Sequence, residues 1–291
     1  MTLGRVAKRT FGNGITETQA YNIQGWATTQ TAKKGSSNIY SQTLSYYTTS
    51  KGTTPLYSGN ISEWTTQQST NAQNTYGLSY DLQGRLLSSS LYKGTSSLAQ
   101  NAYTERGISY DHNGNILKMQ RYGANLQDNY TYNYTGNRIT SITGHNNAAA
   151  ITSATYSYDH NGNTTTDGLK NLQITYNILN LPQKVTQGGA TKATYGWFAD
   201  GSKSSVQDNS GNGYYYIGSL IYSNSNLEST DFSQGRIALS GNTQTIHYHH
   251  RDHLGSVRAI TNGSLNLLDY RARMYDTKIG RWRVPNPLAE V

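Results

Sequence analysis

"TYSYDHNGNTTTDG", residues 155–168, and its near-duplicate "SYDHNGNI", residues 109–116, decide the fold. Two readings compete for the Asp-x-Asn-Gly-Asn run: a cation loop and a hairpin turn. Calcium takes about six to eight oxygens, generally from more than one carboxylate. Each copy offers a single carboxylate, Asp111 or Asp159, and no distal Glu completes a loop of the EF-hand kind. The turn reading uses everything present. Tyr156 and Tyr158 alternate with Ser157 and Asp159, the period of a strand. Asn161-Gly162 then suits a type I′ hairpin turn, which needs two residues at positive φ. The stretch is read as strand, turn, strand.

The same unit recurs with unequal spacing. Its members include Tyr21-Asn22 with Gly25, Tyr80-Asp81 with Gly84, Tyr110-Asp111 with Gly114, and Tyr158-Asp159 with Gly162. Looser copies start at Tyr57, Tyr134, Tyr176 and Tyr195, and in the Tyr176 copy Asn180 replaces the Gly. With Tyr80, Tyr110, Tyr132, Tyr158, Tyr176 and Tyr195 as markers, the intervals are 30, 22, 26, 18 and 19 residues. A rigid solenoid keeps a tighter period; hairpins of varying strand length do not need one. The chain is therefore read as all-β, antiparallel hairpins wound into one curled or spiralling sheet, a partial shell or barrel. The repeated tyrosines are expected to stack as a ladder along one face, each hydroxyl finding a partner at the margin.

Composition agrees. Apolar residues make 34% of the 291, and 25 of those residues are Tyr; Gly numbers 29 against 4 Pro. Charged residues are only 14%, which argues against disorder. The net charge of +8 invites an anionic partner. Yet Lys and Arg are scattered, the densest group (Arg271, Arg273, Lys278, Arg281, Arg283) sits at the end, and no nucleic-acid motif occurs, so nucleic acid is not the expected partner. The chain has no Cys and hence no disulfide framework. No apolar run is long enough for a transmembrane helix, and the first residues do not read as a signal peptide.

Catalytic and metal readings are weak. His247, His249 and His253 with Asp252 are the only metal candidates, crowded enough in sequence to ligate zinc. His247 and His249 share one strand face and His250 the other, so packing is preferred. No Gly-x-Ser-x-Gly elbow is present, and Gly211 to Gly213 opens no helical pattern. No enzyme activity and no cofactor are expected.

These residues resemble the YD repeats of the RHS family, which includes toxin-complex shell subunits and teneurins. "HYHHRDHLGSVRAITNGSLNLLDY", residues 247–270, is similar to the start of the RHS repeat-associated core through Asp252, His253, Leu254, Gly255 and Arg258. "YRARMYDTKIGRW", residues 270–282, resembles its Tyr-x-x-Arg-x-Tyr-Asp…Gly-Arg-Trp signature through Tyr270, Arg273, Tyr275, Asp276, Gly280, Arg281 and Trp282. The structural repeat residues are Tyr80, Asp81, Gly84, Tyr110, Asp111, Gly114, Tyr158, Asp159 and Gly162.

The resemblance implies a repeat sheet over 1–246 and a compact, shortened core segment over 247–291. It implies a secreted or cell-surface shell that encloses or presents a C-terminal toxin or effector. The partner is that cargo or the rest of a longer RHS chain, with an oligomer as another route to closure. The family's segment between the two core motifs is reduced here to about a dozen residues. Asn286-Pro287-Leu288 stands where the family has Asp-Pro-Leu, and no self-cleavage aspartates follow, so no protease residue is carried over. The alternative expectation is a carbohydrate-binding or adhesion module with glycans as partners, using exposed Tyr and Trp.

Overall fold

The computed structural model describes residues 5–93, 97–98, 102–146, 149–262, 275–276 and 281–282. Among them are twenty-six strands and no helix. Twenty-four strands, from Lys8–Thr10 to Val257–Asn262, form one sheet. Neighbours in sequence are neighbours in the sheet, and each pairing is antiparallel. One irregularity breaks the order. The short strand Ser97–Leu98 pairs only with Leu86–Lys93, which also meets Glu105–Tyr110 through Ser89 and Glu105. Tyr275–Asp276 and Arg281–Trp282 make a separate two-stranded pair.

The period-2 pattern sets the faces. In Leu172–Tyr176, Leu172 and Ile174 are buried while Gln173 and Thr175 are exposed. The register then places Ile174 opposite Val185, Val185 opposite Ala193, and Tyr195 opposite Val206. These side chains form one core cluster, joined by Tyr176, Trp197, Tyr214 and Tyr216. A second gathers on Tyr130, Ile142 and Ala154. Aromatic rings thus supply the apolar area that a chain poor in aliphatic residues lacks.

A third cluster unites the two ends of the chain. Phe11, Ile15, Ala32, Ile39 and Tyr40 pack with Ala259, and Tyr248 covers them. The sheet has curled until its last hairpin lies on its first strands. Among the described residues no backbone ladder joins the last strand to the first. Side chains make that junction instead.

The turns correct one expectation. Gly162 N–H donates to the Asp159 carbonyl (3.1 Å) and Asp159 N–H to the Asn163 carbonyl (2.9 Å). Gly162 has φ +90°, whereas Asn161 is not at positive φ. This is a three-residue loop, a type I turn followed by a glycine bulge, not the two-residue type I′ turn. Asp159 is the cause: its Oδ1 accepts the Asn163 N–H at 2.8 Å, a local cap that favours right-handed φ in the residues after it. The same pair of backbone bonds recurs in nine turns, beginning at Phe11, Asn22, Asp81, Asp111, Asp159, Asn177, Phe198, Asp208 and Asp252. In the two that begin with Phe the acceptor moves two residues on, to Asn13 and Asp200.

Candidate functional site

The site is a structural one with two parts: a rim where the Tyr turns line up, and a seam where the ends of the sheet meet. Alternate connections of a meander share an edge, so the turns at 22, 81, 111, 136, 159, 177 and 198 follow one another along one rim.

Seven rungs tie this rim together. The hydroxyl of Tyr46 donates to the Ala27 carbonyl (2.8 Å), Tyr80 to Ile61 (3.0 Å), Tyr110 to Leu86 (2.7 Å) and Tyr134 to Ile116 (2.8 Å). Tyr158 donates to Ile139 (2.9 Å) and Tyr176 to Thr164 (2.7 Å). Trp197 continues the series with its Nε1–H on the Pro182 carbonyl (2.7 Å). Each ring before a turn therefore satisfies the carbonyl just after the preceding turn. The expected ring-on-ring ladder is replaced by this one. Successive Tyr turns stand two strands apart, about 9–10 Å, too far for rings to stack. Burial raises the hydroxyl pKa of Tyr80, Tyr110, Tyr134 and Tyr176. The rungs also move two markers, from Tyr132 to Tyr134 and from Tyr195 to Trp197.

The polar residues of the motif link turn to turn. Asn161 and Asn163 Nδ2 both donate to Asn180 Oδ1, at 2.8 and 2.9 Å, and Asn113 and Asn115 do the same to Asn137, at 3.2 and 3.1 Å. Arg85 Nε donates to Asp81 (2.6 Å), its Nη1 to the Asp111 carbonyl (3.1 Å), and its guanidinium lies 4.5 Å over the Tyr110 ring. Asp111 and Asp159 accept from backbone N–H on one oxygen and from Asn115 or Asn163 on the other. Those side-chain amides, then the backbone donors, hold both carboxyls below the usual range. Such carboxylates are spent on the turn and are poor proton donors or cation ligands.

The seam is polar and buried. His250 is fully buried; its Nδ1 lies 2.7 Å from Glu17 Oε1 and its Nε2 2.9 Å from Thr261 Oγ1. Gln42 donates to Gln30 Oε1 (2.9 Å), and Gln30 donates to the Arg251 carbonyl (2.6 Å). Gln68 and Asn13 cap the carbonyls of Arg258 (2.8 Å) and Asn262 (3.0 Å), four residues apart and so on one edge of the last strand. Side-chain amides thus blunt an edge that would otherwise invite pairing. Arg258 lies 4.7 Å over Trp64, and the edge of His253 meets the same ring.

The metal candidates are not brought together. Asp252 accepts Leu254 and Ser256 N–H on one oxygen and Arg258 on the other. His253 packs on Trp64, and burial lowers its pKa. His249 is lowered to about 4, by burial first and then by Arg251 and Arg236. Among the described residues no group of three or more His, Cys, Asp or Glu side chains could hold a metal ion. Leu254 is exposed, and Gly255 takes φ +84° in the turn at Asp252. Tyr275, Asp276, Arg281 and Trp282 lie in the small strand pair, while Tyr270, Arg273 and Gly280 fall outside the described residues. Glu17, Gln30 and Gln42 carry no motif that marks them as seam residues. The available signal was a polar residue in the inward register, as in Ile15-x-Glu17.

Comparison with protein-family models and with curated proteins finds no match. Among solved structures, one from the Photorhabdus luminescens Tc holotoxin pore, carrying a TccC3 mutation, is similar. Its TM-score is 0.61 at 14% identity, over 91% of this chain and 14% of that one. A TcdB2-TccC3 crystal structure aligns at 14% identity over 87% of this chain and 18% of that chain, with a TM-score of 0.29 that carries no argument. This chain therefore spans about a seventh of the length of the holotoxin chain whose fold it shares. The first likeness is one of fold: a continuous antiparallel sheet built from hairpins.

Proposed function

We propose that this chain is a wall segment of an RHS-type protein, and that its work is confinement rather than chemistry. The observation that carries this reading is the row of seven rungs, which spends the repeated Tyr on holding each hairpin to the one before. The turn acids at 111 and 159 are likewise consumed by backbone. Residues 1–246 supply the wall, and 247–291 is its closing segment, starting with the hairpin that lies on the seam. The fold shared with a Tc holotoxin chain supports the reading. In the complete system such a wall encloses or presents a toxic C-terminal polypeptide outside the producing cell.

The test fuses an unfolded reporter polypeptide after Val291 and follows its digestion by a nonspecific protease. Confinement predicts a reporter cut more slowly than when free, with the difference abolished by opening the seam through Glu17→Leu. Digestion at the free rate contradicts an enclosing role.

A further inference from the structure

The rim holds one anomaly. Its other Tyr-bearing turns are tight, yet residues 46–62 form a long excursion without regular structure. A buried carboxylate organises it. Glu63, 1% exposed, accepts Ser50 N–H (2.8 Å), Lys51 N–H (2.6 Å), Ser50 Oγ–H (2.9 Å) and Thr53 Oγ1–H (3.1 Å). The single Ser62 Oγ–H is shared between the carbonyls of Tyr46 and Thr54 and so ties the two together. Gly59, at φ +97°, lets the backbone rest on Trp26, where a Cβ would meet the ring at 3.1 Å. The loop is thus fixed before any ligand arrives.

What it displays is a pair of tyrosines. The rings of Tyr47 and Tyr57 are stacked 5.8 Å apart at 7°, 39% and 77% exposed. Tyr57 begins a copy of the repeat by sequence, but Tyr46 makes the rung to Ala27 and Tyr57 faces solvent. The repeat has released this ring from structural duty. Thr48, Thr54, Pro55 and Ser58 of the same loop are exposed, and Lys51 is the single charged residue from 46 to 62. A nucleic-acid site would need several cations to neutralise phosphates. A flat aromatic face flanked by neutral hydroxyls suits a ligand that is apolar on one face and hydroxylated at its edge.

We infer that Tyr57, backed by Tyr47, is a stacking platform for the ring face of an uncharged sugar, giving this wall a glycan-binding patch on its rim. The inference is independent of the wall reading, because neither Tyr47 nor Tyr57 is itself a rung or a seam residue.

Titration calorimetry of the whole chain against cellohexaose, chitohexaose, mannohexaose and maltohexaose, with heparin as the charged control, tests it. At least one neutral oligosaccharide is expected to bind. Tyr57→Ala is expected to weaken it by about tenfold or more, Tyr47→Ala by less, and Tyr57→Trp to retain it. Unchanged thermal melting of the variants separates loss of the platform from loss of fold. Binding to heparin alone, no binding to any of the four, or equal binding by Tyr57→Ala overturns it.

Discussion

Gly162 illustrates what a single residue does in this wall. Its φ of +90° closes the glycine bulge, and an added Cβ would lie 2.8 Å from Arg138 Nη2 of the preceding turn. Gly162→Val is therefore expected to cost about 1–2 kcal/mol by chemical denaturation. Gly162→Asn should cost less, because Asn tolerates this region and Asn180 fills the equivalent place at φ +59°. Equal stability of all three would remove the turn account. Tyr158→Phe isolates a rung: the ring stays and the bond to Ile139 goes, with an expected loss of about 1 kcal/mol. The need for a positive-φ residue in each turn was legible, since Gly or Asn recurs there. The turn type was not, because Asn-Gly suits two hairpin loops and only the Asp cap selects between them.

At the scale of the hairpin, stability should depend on pH in two windows. His249 has its folded pKa depressed to about 4. Its neutral form contributes stability that is present above the ordinary histidine range and is lost as pH falls from about 6.5 toward 4. The melting temperature should fall across that window, and His249→Gln should flatten the fall; an unchanged slope would contradict the assignment. Asp111 and Asp159, also depressed, hold their contribution above the ordinary carboxylate pKa and lose it as pH drops further. The strands themselves were legible from alternation, as in Tyr156 and Tyr158. The rungs were only half legible. The sequence marks an aromatic residue before each turn, but not that its hydroxyl serves the carbonyl after the turn before. That bond crosses 12 to 24 residues in the six rungs from Tyr46 to Tyr176, and local pattern carries no information on it. Trp197 for Tyr195, and Tyr46 for Tyr57, are invisible for the same reason.

For the whole molecule, the decisive feature is the return of the last hairpin to the first strands. Glu17 and His250 are 233 residues apart and in direct contact. No periodicity announces such a pair; an acid in an inward register is the faint sign of it. Removing one partner of a buried hydrogen bond leaves the other unsatisfied and typically costs about 1–3 kcal/mol. Glu17→Leu, which removes the acceptor for His250, should therefore loosen the seam while the clusters around Val185 and Tyr130 persist. Hydrogen exchange should accelerate in Thr243–Arg251 and Ile15–Tyr21 and leave Leu172–Tyr176 slow. Uniform acceleration would mean that the seam is not a separable closure. The most direct test exploits the absence of Cys from the chain. Asn13 donates to the Asn262 carbonyl at 3.0 Å across the seam. A double variant, Asn13→Cys with Asn262→Cys, should be joined by a short bifunctional thiol cross-linker in the folded protein and not in denaturant, because the contact runs from a side chain to a backbone carbonyl and a direct disulfide needs closer Cβ atoms. A folded chain in which these two positions do not cross-link would contradict a sheet that closes on itself.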